Sequence, residues 1–142
     1  MEPGNIYNNN LITDLIFDKT DNIVYFGDTD GQVKGYRFTQ DQNKNITKIK
    51  ATDGIVRCLE QISASELIAG AKDPSLSLLY ADKETKSELR WGRDTPPYTI
   101  RKMDEALVAV GCDDGSISIF DTRQGEEVGS ISQFGETVTD LL

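Results

Sequence analysis

Dense apolar runs at Ile23 to Phe26, Leu67 to Ala69 and Leu107 to Val110 carry no polar interruption, so both faces of each run must be covered. After a short polar turn, each gives way to a stretch in which apolar and polar residues alternate. Val33, Leu76 and Ile117 align there, with Gly35, Leu78 and Ile119 two residues on. Gln32, Ser75 and Ser116, then Lys34, Ser77 and Ser118, occupy the intervening places. A period of two sends successive side chains to opposite faces, which is the pattern of a strand with unlike sides. Upstream of each dense run lies a further candidate strand, at Ile12 to Asp18, Ile55 to Gln61 and Tyr98 to Met103. Downstream lies a fourth, at Asn45 to Ala51, Lys86 to Trp91 and Glu126 to Ser132, polar enough for an outer edge.

These units are repeats. GDTDGQVKGYRF begins at Gly27, GAKDPSLSLLYA at Gly70 and GCDDGSISIFDT at Gly111, with spacings of 43 and 41 residues. Aspartate recurs at the fourth place (Asp30, Asp73, Asp114), followed by Gly31, Pro74 or Gly115. An Asp-Gly step between strands is a hairpin signal, because the tight turn needs positive φ. Pro74 cannot take that place, so the middle hairpin is expected to use a different or longer turn. Four strands per period of about 42 residues describe a propeller blade. The expected architecture is all-β, an incomplete β-propeller, with blades at about 11–52, 54–94 and 96–132. The first strand of a fourth is expected at about 137–142, since TVTDLL repeats the LITDLI of Leu11 to Ile16. Three blades and a fraction leave apolar end faces for a second copy, another protein or remaining propeller blades to cover. The chain reads best as the N-terminal portion of a longer propeller.

A glycine, an acidic hairpin, an alternating strand and an aromatic-Asp pair at this period resemble the WD40 repeat, with Phe120-Asp121 in the place of the signature Trp-Asp. The other two repeats carry Tyr36-Arg37 and Leu79-Tyr80 instead. There is no histidine, so that family's His, Ser, Trp and Asp network cannot form, and packing is expected to hold the blades together. The resemblance implies a non-catalytic protein-interaction scaffold with protein partners and no cofactor. MDEALVAVGCDDGSISIFDTR and DLIFDKTDNIVYFGDTDGQVKGYRF are further similar to a nucleolar WD-repeat group implicated in ribosomal RNA processing. That closer likeness implies a role in ribosome biogenesis and a nuclear or nucleolar address, with the cytoplasm as the other intracellular location.

Composition narrows the chemistry. Fifteen basic residues against 24 acidic ones in a chain of 142 give a net charge of −9, which repels a phosphate backbone, so no direct nucleic-acid binding is expected. No apolar run approaches the ~20 residues of a membrane span and no signal-peptide pattern opens the chain, so an intracellular protein without a membrane partner is expected. Cys58 and Cys112 are 54 positions apart, outside any metal-site spacing, and are expected to be buried thiols. Without histidine the commonest general base near neutral pH is missing, and neither GxGxxG nor GxxxxGK[ST] occurs. The alternative function is a metal-assisted hydrolase or lyase using hairpin aspartates, Asp28 with Asp30 or Asp113 with Asp114. A calcium loop counted around Gly31 puts Phe26 first and Arg37 twelfth, and around Gly115 puts Val110 first and Asp121 twelfth, so the required first aspartate and final glutamate are absent. Trp91 is read as a cap on the core, with anchoring of a partner as the other role.

One periodic charge remains. Asp14, Arg57, Arg101 and Asp140 stand at matching or near-matching places on the first strands. The propeller resemblance places first strands along the central channel, making these the candidate partner-binding residues. Two arrangements are open. Arg57 and Arg101 contact an acidic partner segment, or Asp14 pairs with Arg57 and Asp140 with Arg101 across neighbouring blades.

Overall fold

The computed structural model describes residues 10–40 and 43–132, and all the regular structure within them is strand. The first sheet holds β1 (Ile12–Asp18), β2 (Ile23–Asp28), β3 (Gln32–Phe38) and β4 (Asn43–Lys50). β5 (Val56–Gln61), β6 (Glu66–Ala71), β7 (Ser75–Tyr80) and β8 (Thr85–Glu88) make the second; β9 (Pro97–Lys102), β10 (Leu107–Cys112), β11 (Ile117–Asp121) and β12 (Glu126–Ile131) make the third. Each sheet is an antiparallel meander in chain order. The sheets lie side by side as an open stack, with β1 against β5 and β5 against β9, so the first strands form the inner wall. The fourth blade's expected start, Thr137 to Leu142 with Asp140, lies outside the described residues.

Packing between sheets accounts for the pattern of apolar positions. β6 presents Leu67 and Ala69 to the first sheet, where they join Tyr25, Val33, Val56 and Leu59. Ile68 on its other side joins Leu76, Ile100, Val108, Val110 and Phe120 of the second joint. A strand buried on both faces needs apolar residues at consecutive places, which is why the dense runs show no alternation. Each fully buried Leu, Ile or Phe contributes about 1.5–3 kcal/mol, so the two joints dominate the stabilisation. Trp91 is buried, donates from Nε1 to the Thr95 carbonyl at 2.8 Å and lies tilted on Phe120 at 6.3 Å, which removes it as a partner anchor. Its inward turn also ends β8 at Glu88, short of the expected Trp91.

Hydrogen bonds supplement this packing between blades. Thr47 Oγ1 donates to the Ala81 carbonyl at 2.8 Å, and Gln61 Nε2 donates to Asp18 Oδ2 at 2.9 Å. Glu60 Oε2 accepts the Lys102 amide at 2.9 Å.

The hairpins behave as the turn residues require, with one shift of role. Gly31 and Gly115 have φ of 78° and 86°, and their amides donate to Asp28 and Cys112 carbonyls at 3.2 and 3.1 Å. Pro74 has no amide to donate, and the middle turn differs in type but not in length: Gly70 pairs with Leu76 just as Gly27 pairs with Val33 and Gly111 with Ile117. Asp73 Oδ1 there accepts the Thr52 hydroxyl at 2.8 Å. In the third blade Asp114 accepts the Ser116 amide at 2.9 Å, while in the first Asp28, rather than Asp30, takes the amides of Asp30 and Gln32 at 2.9 and 3.1 Å. Asp30 instead faces Lys50. Asp121 closes the β11–β12 turn, accepting the amides of Arg123 and Gln124 at 2.9 and 3.0 Å.

Candidate functional site at the inner strands

Every inner strand breaks its ladder once, at the same place. β1 slips between Ile12 and Asp14, β5 between Val56 and Cys58, and β9 between Pro97 and Thr99. Beyond the slip, Asp14, Cys58 and Thr99 pair with Gly27, Gly70 and Gly111 respectively. Thr13, Arg57 and Tyr98 are therefore the bulged residues, one per blade, freed from the ladder and re-aimed as bulges do. The charges that looked periodic in sequence consequently stand at three levels. Arg57 is a bulge residue, Asp14 follows the bulge, and Arg101 lies two places further, opposite Ala109.

A cleft of about 460 Å³ opens along this wall, lined by Thr13, Asp14, Arg57, Tyr98 and Arg101 among others. Arg57 Nη2 lies 3.1 Å from Asp113 Oδ1 on the β10–β11 turn, and its guanidinium stacks 4.6 Å from the centroid of the Tyr98 ring. Contact between the bulges of two blades thus fixes a partly exposed cation over an aromatic face, an interaction of about 0.5–1 kcal/mol at such a site. Asp14 does not pair with Arg57. Its Oδ2 accepts the Leu59 amide of the next blade at 2.9 Å and its Oδ1 accepts the Leu15 amide at 2.9 Å. Burial raises its pKa, opposed by those two amides and by the charge of Arg101. Cys58 also lines the cleft, where burial pushes its thiol far above the usual range and leaves it a poor nucleophile. Cys112 is likewise buried and free.

Three of the four expected partner-binding residues therefore share one cleft, and Asp140 lies outside the described residues. Tyr98 and Thr13 were not legible as site residues, and Asp113 was read only as a candidate acid of the hydrolase alternative. One trace of the bulge was present: Val56 and Leu59 enter the same core cluster although an odd spacing of three should separate them in a regular strand.

Two of the turn aspartates, Asp104 and Asp114, are occupied by their own turns. Asp104 accepts the amides of Ala106 and Leu107, each at 2.9 Å, and Asp114 accepts both the amide and the hydroxyl of Ser116. These bonds hold both carboxyls below the usual range. Among the described residues, no group of three His, Cys, Asp or Glu side chains is gathered as a metal set, and no helix is long and apolar enough to cross a membrane.

No protein-family profile matches the chain. It is 27% identical over 145 residues to a WD repeat-containing protein 55 homolog of Aedes aegypti, covering 99% of this chain and 31% of that one. The corresponding homolog of Dictyostelium discoideum is 24% identical over 143 residues, with 99% and 35% covered. The chain thus spans about a third of the length of the curated relatives it matches. Among solved structures, the WD40 propeller domain of Doa1 superposes with a TM-score of 0.79 at 15% identity, covering 93% of this chain and 43% of that one. The computationally designed Ika4 protein does so with 0.82 at 21%, covering 98% and 83%.

Proposed function

Starting from a chain of the WD40-repeat family, we propose that this protein is a non-catalytic interaction scaffold whose inner-strand cleft holds an acidic segment of a partner protein. WD40 propellers act generally as protein-interaction scaffolds, and this fold supports that reading. The observation that carries the finer claim is the placement of Arg57. Its guanidinium is fixed by the Tyr98 ring and held by one partly exposed carboxylate, Asp113, which an incoming carboxylate would displace. Arg101 lies in the same cleft and adds a second positive charge.

The test is titration of fluorescein-labelled peptides rich in Glu and Asp, followed by anisotropy at low and moderate salt. Arg57→Ala and Arg101→Ala are each expected to weaken binding about tenfold, the size of one charge-assisted contact. Unchanged affinity with a lowered melting temperature would make both residues purely structural. The two repeats quoted above resemble a nucleolar WD-repeat group implicated in ribosomal RNA processing, and on that resemblance alone we propose a ribosome-biogenesis setting in the nucleolus. Imaging of the tagged protein checks that address; exclusion from the nucleus would remove it.

A further inference from the structure

The two joints between sheets are filled differently where each outer strand runs on into the next blade. Ile49 lies opposite Val33, and Leu89 is bonded to Leu76, which holds the place of Val33 in the second sheet. Two and four residues further on, the second link carries Trp91 and Arg93 where the first carries Ala51 and Asp53. Between the second and third sheets the chain thus supplies its own occupant. Trp91 lies on Phe120, and the Arg93 guanidinium sits 5.9 Å from the Trp91 ring. Arg93 Nη1 donates to Ser116 Oγ at 2.7 Å and Nε donates to Glu127 Oε1 at 2.7 Å. Between the first and second sheets, with the smaller Ala51 and the acidic Asp53 in their place, a groove of about 380 Å³ is open. Its lining includes Asp53, Asp73, Ser75, Ser77, Lys86 and Glu88. That volume falls in the range of ligand pockets, ~300–1,000 Å³.

We infer that this groove takes an arginine side chain of a partner protein, whose guanidinium lies where that of Arg93 lies at the next joint. Ser75 stands at the place of Ser116, one residue before the partners of Gly70 and Gly111. The Ser75 hydroxyl donates to Asp73 Oδ1 at 3.4 Å, as that of Ser116 donates to Asp114 Oδ1 at 2.6 Å. A hydroxyl whose hydrogen is so engaged still offers its oxygen to an N–H donor, the use Arg93 makes of Ser116. Charge favours a cation as well. Asp53, Asp73 and Glu88 set three carboxylates against one ammonium, that of Lys86. Lys86 Nζ is already directed to the Ala51 carbonyl at 3.3 Å and to Glu88 at 3.7 Å. A planar fork of five donors can reach several of these acceptors at once, which a lysine cannot match. The chain's net charge of −9 draws a basic partner toward it. The groove lies between two described sheets and shares no residue with the inner-strand cleft, so either proposal can fail without the other.

Fluorescence anisotropy at low salt tests it with a labelled Gly-Ser peptide bearing one arginine and with its lysine and citrulline counterparts. The arginine peptide is expected to bind about tenfold more tightly than the uncharged citrulline peptide, and more tightly than the lysine peptide. Asp53→Asn and Glu88→Gln change exposed positions, and each is expected to weaken binding about fivefold. Asp53→Arg gives the groove the side chain that fills its counterpart, and is expected to abolish binding while the circular dichroism of the strands is retained. Asp82→Asn removes an exposed acid from the β7–β8 turn, outside the groove, and is expected to leave affinity unchanged. Absence of binding, or equal affinity for the three peptides, would overturn the inference. A loss from Asp82→Asn as large as that from Asp53→Asn would do the same, because it would reduce the attraction to overall charge.

Discussion

At the scale of single residues, two glycines separate backbone demand from space. Gly31 and Gly125 share left-handed backbones, with φ of 78° and 76°. A β-carbon on Gly31 would run into the Thr52 carbonyl oxygen and lie 2.7 Å from that of Gly54, whereas at Gly125 the nearest atom, of Leu89, is 3.9 Å away. Gly125→Ala is expected to cost about 1 kcal/mol, the strain of the left-handed region alone. Gly31→Ala is expected to cost about 3 kcal/mol or more, since backbone must also move. Urea denaturation of both variants checks the difference. Gly31 was legible from its Asp-Gly step. The unequal surroundings were not, because they depend on the β4–β5 link folding over one turn and not the other.

Between elements, the joint of the first two blades includes a titratable link. Asp18 at the end of β1 accepts from Gln61 at the end of β5, and chiefly that bond holds its carboxyl below the usual 3.8, assisted by the amides of Thr20 and Asp21. A carboxyl depressed in the folded state adds stability that is fully present above the unfolded pKa and lost as pH falls through the folded one. Wild-type stability is therefore expected to decline below about pH 4 partly through Asp18. Asp18→Asn should lose about 1 kcal/mol at neutral pH and show a shallower acid decline in thermal melts. Strand identity was legible throughout, because a period of two and its loss in doubly covered strands are local signals. Register was not. The bulges at Thr13, Arg57 and Tyr98 follow from how each inner strand meets its neighbours, and they moved Asp14, Arg57 and Arg101 to different levels.

Across the molecule, stability should be graded by position in the stack. The second sheet is covered on both faces, and its β6 is buried from Leu67 to Ala71. β8 is exposed at every residue and β12 at all but one. Amides of β6 are expected to exchange with solvent orders of magnitude more slowly than those of β8 and β12, as measured by hydrogen exchange. Equal rates would mean that the sheets do not pack as a cooperative unit. The three-blade organisation was readable from the repeat; the partner of Arg57 was not, because Asp113 is 56 positions away on another blade. The recurring bulge has one further consequence, for how such a chain diversifies. A residue outside the ladder contributes little to pairing, so Thr13, Arg57 and Tyr98 can change while the hairpins around them stay under constraint. Copies of one ancestral unit could in this way come to recognise different molecules without relearning how to fold.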